Sequence, residues 1–482
     1  MCSLGGEIAA ARLMAPFFGS STIVWANTIA VVLLALSVGY YFGGRLADRH
    51  PHKRGLCAVV LCAAGLLALV PLVARPFLNV SVEAFESISV GAAAGSLFGV
   101  LVLVAAPVLL LGTVAPWVLR LSIADVKSAG ETAGRLYALS TVGSLFGTFL
   151  SALVLIPLVG PQRTFLLYAV ALAGVAALAL GRRFTLVPLA IAALVAVPIG
   201  TTKAADDGGD RVVEERETSY QYARVVEDPD GTRTLELNEG QAIHSMYKPG
   251  TVLTDNYWDA FLAVPATALG RAPRSLAVLG DGAGTMTRAY GEYFPQTTVD
   301  AVEIDGELTE LGRRWFGLSD RPGLRFMTED ARPFLRRTNR RYEAIFVDAY
   351  RQPYIPFYLS TREFFALVAD RLAPGGVVVV NVGHPEGSDD LEQTLTATMR
   401  TAFASVMRDP VKDVNTLLVA SQAPVTAAKA SAADLPADVE PIAADVAGRL
   451  RPALPGGDVY TDDRAPVEWL IDKSIVSYAA GE

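Results

Sequence analysis

Apolar and polar positions divide this chain into two halves with different periods. From residue 1 to about 200, apolar residues run on with few charges and no alternation. A helix needs about 20 apolar residues to cross a bilayer. Six stretches qualify as spans: Trp25–Gly44, Gly55–Val73, Ala93–Leu119, Leu136–Val159, Thr164–Leu180 and Thr185–Gly200. Residues 1–18 make a seventh candidate, interrupted by Glu7 and Arg12, two charges close enough on a helix to pair within the bundle. This first segment is short, as if cut from a longer helix, and no cleavable signal peptide is evident. Glycines 134, 143 and 147 suit close helix packing.

Past residue 211 the pattern changes. Alternating segments at Ser219–Glu227 and Thr232–Leu237 flank a Pro-Asp-Gly turn at 229–231, which predicts a β-hairpin in a small β-rich subdomain. From residue 275, predicted strands at 275–280, 298–304, 324–328, 343–348 and 376–382 alternate with helices at 285–294, 306–316, 331–338, 361–372 and 389–403. Such alternation implies a doubly wound parallel sheet that binds ligands at the carboxyl ends of its strands. The Ala- and Pro-rich run 422–441 reads as a surface excursion. The expected organisation is a transmembrane helix bundle over 1–202, the β-rich subdomain over 211–260 and a Rossmann-like α/β domain over 261–482.

Composition sharpens this division. Hydrophobic residues make up 52% of the chain and charged residues only 19%, against roughly 25% charge in a soluble domain. The net charge of −8 excludes a general nucleic-acid binder. All three cysteines, Cys2, Cys57 and Cys62, fall in the apolar half, so the polar half has neither a disulfide framework nor a cysteine metal site. The basic loop Gly43–Arg54 is expected to face the cytoplasm. Its Gly-Arg-Leu-Ala-Asp-Arg core resembles the loop between the second and third helices of major facilitator transporters. Counting spans from that loop carries the polar half outside if 185–200 crosses, and leaves it inside if that segment is re-entrant or interfacial or if the number of spans elsewhere differs by one.

The densest chemistry lies in Leu276-Ala-Val-Leu-Gly-Asp-Gly-Ala-Gly284, followed about twenty residues later by Val302-Glu-Ile-Asp305. An apolar strand enters a glycine-rich turn, a helix follows, and a second strand ends in an acid that can accept hydrogen bonds from a ribose. The other residues at the strand ends are Glu329, Asp330, Asp348 and Asn381. Asp305 and Asp330 also fit a helix-capping role.

These residues, with Glu329-Asp-Ala331, Ile345-Phe-Val-Asp348, Leu237-Asn-Glu-Gly-Gln241 and Tyr460-Thr-Asp-Asp-Arg-Ala-Pro-Val-Glu468, resemble the spermidine synthase (polyamine aminopropyltransferase) family over about 211–480. The whole chain resembles bacterial membrane-fused members of that family. The resemblance implies a class I methyltransferase-like fold and decarboxylated S-adenosylmethionine as substrate, without a metal. It places Glu303 on the ribose hydroxyls, Asp330 on the adenine amino group, and Gly280, Asp281, Gly282 and Gly284 in the loop beside the thioether. Asp348 becomes the base that deprotonates the attacking amine, and Gln241 belongs to the acceptor side. The implied partners are a lipid bilayer at the cell inner membrane and a small amine acceptor, with a homodimer as one open assembly.

Two departures bear on the acceptor. The family's loop aspartate, which holds the aminopropyl ammonium, is Ala283 here, and an aspartate stands two positions earlier as Asp281. The second aspartate of the family's Asp-Ser-Ser-Asp is Arg351, which would repel a polyamine. Arg351 beside Tyr350, Tyr354 and Tyr358 points to a carboxylate- or phosphate-bearing acceptor, or is a plain surface arginine. His244 lines the acceptor site or is a hydrogen-bonded structural residue. Three functions stay open: aminopropyl transfer, methyl transfer from S-adenosylmethionine, and a non-catalytic ligand-sensing or transport-associated role.

Overall fold

The computed structural model describes residues 1–18, 22–86, 91–123, 125, 129–181, 184–197, 209–238, 242–350, 355–384, 387–467 and 470. The chain forms two compact units. One comprises Met1–Ala204 with Glu215–Tyr222 and Asn238–Gly240; the other comprises Ala205–Glu214, Ala223–Leu237 and Gln241–Glu482.

The first unit is helical. Four helical stretches among the described residues are long and apolar enough to cross a membrane: Ile23–Arg49, Lys53–Ser81, Ala105–Ser122 and Ala129–Leu180. The last is bent at Gly160, where φ is +79°, so the two spans expected at 136–159 and 164–180 meet across a kink. The span expected at 93–119 is broken into Gly91–Leu103, Ala105–Gly112 and Val114–Ser122. Close packing uses Gly147 of the three glycines the sequence suggested, and Gly39, which it did not. A Cβ on Gly39 would stand 2.2 Å from the Leu109 carbonyl, and one on Gly147 2.4 Å from that of Met1, whereas Gly134 has open space around it. Arg12 pairs not with Glu7 but with Glu217 of the same unit, at 3.3 Å. Sequence distance hides that partner.

The second unit begins with most of a four-stranded sheet in the order β1 (Arg211–Glu217), β2 (Tyr222–Glu227), β3 (Arg233–Leu237), β4 (Ile243–Tyr247). The expected hairpin is β2–β3, paired Ala223 to Leu237. An eight-stranded sheet follows, built from β5 (Ser275–Leu279), β6 (Thr298–Glu303), β7 (Leu324–Thr328), β8 (Tyr342–Val347), β9 (Leu372–Gly383), β10 (Ser405–Lys412), β11 (Asn415–Ser421) and β12 (Arg451–Pro452). Its order is β12-β10-β11-β9-β8-β5-β6-β7. Strands β5 to β9 are parallel. At the far side β11 runs antiparallel to both its neighbours, β9 and β10, giving the expected methyltransferase-like arrangement. The chain order reverses between β5 and β8, and that switch point is where such sheets bind ligands.

Alternation along the strands explains the two cores. Ala277, Leu279, Ile345, Val347, Val378 and Val380 fill one face. Leu276, Val278, Ala344, Phe346, Val377 and Val379 fill the other. Both sets are almost fully buried, and a strand covered on two faces reads as a continuous apolar run. The run 422–441 is no mere surface excursion. It forms the short helix Ala427–Ser431 and leads into Glu440–Arg449, and Val425, Leu435 and Val439 are buried in the second core. Single apolar residues spaced among Ala and Pro show no period, which is why the sequence concealed them.

Candidate active site

Three carboxylates gather at the carboxyl ends of β5, β6 and β8. Chain geometry puts them there. Gly280 follows β5 with φ +88°, and a Cβ on it would lie 2.5 Å from the Asp348 carbonyl oxygen, so only glycine lets the two strand ends approach. Gly282 is equally confined: its Cβ would fall 2.9 Å from Ser245 Oγ on β4. Ser245 braces the loop by accepting from the Ala283 N–H at 2.9 Å and donating to the His244 carbonyl at 2.6 Å. Thus His244 borders the glycine loop, where its backbone lies 3.1 Å from the position of a Gly282 Cβ. Gly284 caps the helix Thr285–Tyr293 in the left-handed region.

Glu303 ends β6 and is buried. One oxygen accepts the Gly282 N–H at 2.9 Å and the other the Asp305 N–H at 3.1 Å. A carboxylate has about four lone-pair sites, so two directions stay available for hydroxyl donors. Burial pushes its pKa up to about 7, against the pull of the two backbone donors. Asp281 is also buried and raised to about 7 by desolvation. Thr287 donates to its Oδ1 at 2.5 Å, while its buried Oδ2 has no hydrogen-bond partner.

Asp348 follows β8 and is half-buried. Asn381 Nδ2 donates to its Oδ1 at 2.8 Å and the Tyr257 hydroxyl to its Oδ2 at 3.1 Å. Desolvation lifts its pKa to about 6, while Asn381, Tyr257 and the Trp258 side chain pull the other way. The donors are themselves fixed. Asn256 caps the short helix Tyr257–Ala260, and Asp259 accepts from the Thr254 and Asp255 N–H groups at 2.9 and 2.8 Å. On the other side, Asn415 Nδ2 donates to Asn381 Oδ1 at 3.0 Å.

The remaining sequence candidates divide. Asp330 caps the helix Ala331–Arg337, its Oδ1 accepting the Arg332 N–H at 2.9 Å, while its Oδ2 accepts the Tyr358 hydroxyl at 2.6 Å. The Tyr350 hydroxyl is occupied by the end of β9: it donates to the Asn381 carbonyl at 3.0 Å and accepts from the Gly383 N–H at 2.5 Å. Gln241 and Arg351 lie outside the described residues. Sequence reasoning missed Tyr257, Trp258 and Ser245 around the site. It placed Asn381 at the sheet edge without its bond to Asp348. Among the described residues no group of three or more His, Cys, Asp or Glu is arranged to hold a metal ion.

Residues 256–418 match the model of the spermine/spermidine synthase domain. A probable polyamine aminopropyl transferase of Bifidobacterium longum is 35% identical over 193 residues, which cover 40% of this chain and 42% of that protein. A polyamine aminopropyltransferase of Mycobacterium tuberculosis is 28% identical over 435 residues, 84% of this chain and 79% of the relative. The chain therefore spans less than half the length of the first of these relatives. Among solved structures, a probable spermidine synthase from Corynebacterium glutamicum aligns with a TM-score of 0.41 at 21% identity, over 53% of this chain and 99% of that one. The C-terminal region is thus similar to the spermine/spermidine synthase domain over residues 256–418, and a helical region rich in apolar helices precedes it.

Proposed function

We propose that the chain is a membrane-attached polyamine aminopropyltransferase, moving an aminopropyl group from decarboxylated S-adenosylmethionine to an amine acceptor such as putrescine. One observation carries this reading. Asp281, Glu303 and Asp348 surround the glycine loop, and their hydrogen-bond partners among the described residues are hydroxyls, an amide, an indole and backbone N–H groups, never a cation. Gathering three carboxylates away from water without counter-charge is costly. A sulfonium with an aminopropyl ammonium supplies the missing charge, whereas a pyrophosphate would add to the repulsion.

The residues present fit such a substrate. Glu303 keeps two lone-pair directions for the ribose hydroxyls, and Gly280 and Gly282 leave the strand ends open to close approach. Asp330 meets the adenine amino group. Asp348 does the proton work. An ammonium has no lone pair, so the acceptor must lose a proton before its nitrogen forms the new bond to the carbon beside sulfur and the carbon–sulfur bond breaks. Asp348 takes that proton. A pKa near 6 leaves it mostly ionised at neutral pH yet more basic than an ordinary aspartate.

The outward-facing side chains of the helical unit support attachment to a bilayer: Leu158 and Leu178 are 76% and 85% exposed. The helix Leu186–Ala196 has 11 residues, about 16 Å at 1.5 Å per residue, well short of a hydrocarbon core of about 30 Å. A re-entrant segment here would leave the sheet unit on the cytoplasmic side by the count of spans.

Mass spectrometry of products tests the function. Purified protein given decarboxylated S-adenosylmethionine and a panel of amines should release 5′-methylthioadenosine and an amine heavier by one aminopropyl group. Methylated product from S-adenosylmethionine, with none from the decarboxylated compound, would overturn it.

A further inference from the structure

We propose that Asp462 is a positioning residue that sets adenine selectivity by holding Asp330 in place. This rests on the reading that Asp330 meets the adenine amino group. The motif Tyr460-Thr-Asp-Asp-Arg464 stands far along the chain from Asp330, yet its third residue reaches Arg332, two positions after it.

Arg332 is the link. Its side chain is buried, and it holds Asp462 through two bonds of 2.8 and 2.6 Å across 130 residues of sequence. The same guanidinium donates to the Tyr358 carbonyl at 3.0 Å. The Tyr358 hydroxyl donates to Asp330 Oδ2 at 2.6 Å, and the Arg332 backbone N–H fixes Oδ1 at 2.9 Å. Asp330 is therefore held at both oxygens by Arg332 and Tyr358, which the Arg332 guanidinium, paired with Asp462, ties together.

Asp462 is itself anchored. Thr361 Oγ1 donates to it at 2.7 Å, and its own N–H donates to Glu363 at 3.0 Å. The Tyr460 carbonyl accepts from the Arg362 N–H at 2.9 Å, and the Tyr460 N–H donates to Thr398 Oγ1 at 3.0 Å. The Arg332 guanidinium beside it holds the Asp462 carboxyl below the usual aspartate range, so this clamp is charged at neutral pH.

The consequence is selectivity. Each Asp330 oxygen retains a lone pair for an incoming donor. A fixed carboxylate accepts from the amino group of adenine and repels the carbonyl that hypoxanthine carries at the same place. A carboxylate free to rotate would lose part of that discrimination. Asp462 touches no substrate and acts only through Arg332 and Tyr358.

The test is calorimetry on the full-length protein in detergent, with 5′-methylthioadenosine and 5′-methylthioinosine as probes. The parent should prefer the adenine compound by about tenfold or more, the scale of one charged hydrogen bond. Asp462→Asn should cut that preference by about fivefold, chiefly by weakening the adenine compound, and Arg332→Lys should behave alike because lysine cannot form the paired contact. If Asp462→Asn fails to fold, Tyr358→Phe, which removes only the hydroxyl, must show the same loss. A merely structural role would lower the melting temperature and both affinities together, and an unchanged ratio overturns the proposal. Asp330→Ala separates the two claims: it should abolish the preference, and a preference that survives it refutes the adenine reading and the proposal with it.

Discussion

The two units place their large apolar residues in opposite ways. In the helical unit Leu178 is 85% exposed and Leu139 69%. In the sheet unit Phe346, Val378 and Val379 are fully buried. Charge is distributed the other way: the sheet unit gathers Asp281, Glu303 and Asp348 around one loop, while its surface carries arginine–carboxylate pairs such as Arg314–Glu214 and Arg337–Glu329. One chain thus presents two kinds of surface, apolar over the helices and charged over the sheet. The difference locates the chemistry. Charges can be concentrated where a rigid sheet edge and many hydrogen-bond donors meet, and the outer face of an apolar helix has neither.

Paired substitutions sharpen this contrast. Phe346 packs against Phe261 and Tyr290, with ring centroids 4.8 and 5.7 Å away. Phe346→Ala should cost about 3–5 kcal/mol, as aromatic deletions in a closed core do. Leu178→Ala removes a side chain that faces outward and should change stability in detergent by less than about 0.5 kcal/mol. Denaturation of each variant in the same detergent checks both. Equal losses would mean that the outer face of the helices is packed against something.

A smaller effect separates the acids of the site from those of the surface. Asp281, Glu303 and Asp348 have folded-state pKa values raised to about 7, 7 and 6. A carboxyl raised on folding binds more protons in the native state than in the unfolded one. Its contribution is therefore complete at low pH and is lost as pH rises through the folded value. The substrate-free protein should gain stability as pH falls from about 7.5 to about 5. The gain should be at least about 1.4 kcal/mol, the worth of a tenfold change in the proton affinity of a single group. Below that window the trend should reverse, because Glu227, Glu343 and Glu363 are lowered by their arginine partners. Melting temperatures across pH check it, and Glu303→Gln should flatten the slope. A stability that rises steadily from pH 5 to 7.5 would contradict the burial of these groups.

Much of the sheet unit was legible because its signals are local. Apolar runs of strand length, the glycines after β5 and the acids at the strand ends sit within a few residues of the elements they define. The strands and helices from 275 to 403 fall where alternation put them. What could not be read depends on tertiary approach. Tyr257 reaches Asp348 across 91 residues, and Asn381 reaches it across 33. No local period marks either pairing. Asp462 gave a motif without a role, since its meaning lies in Arg332. The helical half was legible as apolar length and little else, because uniform hydrophobicity does not encode where a helix breaks. Thr113 and Gly160 interrupt segments that composition alone makes continuous.

Amine transfer at the sheet edge stands or falls on Asp348. Asp348→Asn keeps the size of the side chain and an oxygen that can still accept from Tyr257, but it removes the basic carboxylate. Turnover with decarboxylated S-adenosylmethionine and the best amine acceptor, measured beside calorimetric binding of 5′-methylthioadenosine, decides the matter. The expected result is nearly unchanged binding with turnover lowered by about 10²–10⁴-fold, the usual scale of a general base. Turnover at the parent rate would show that Asp348 is structural and that the mechanism is wrong.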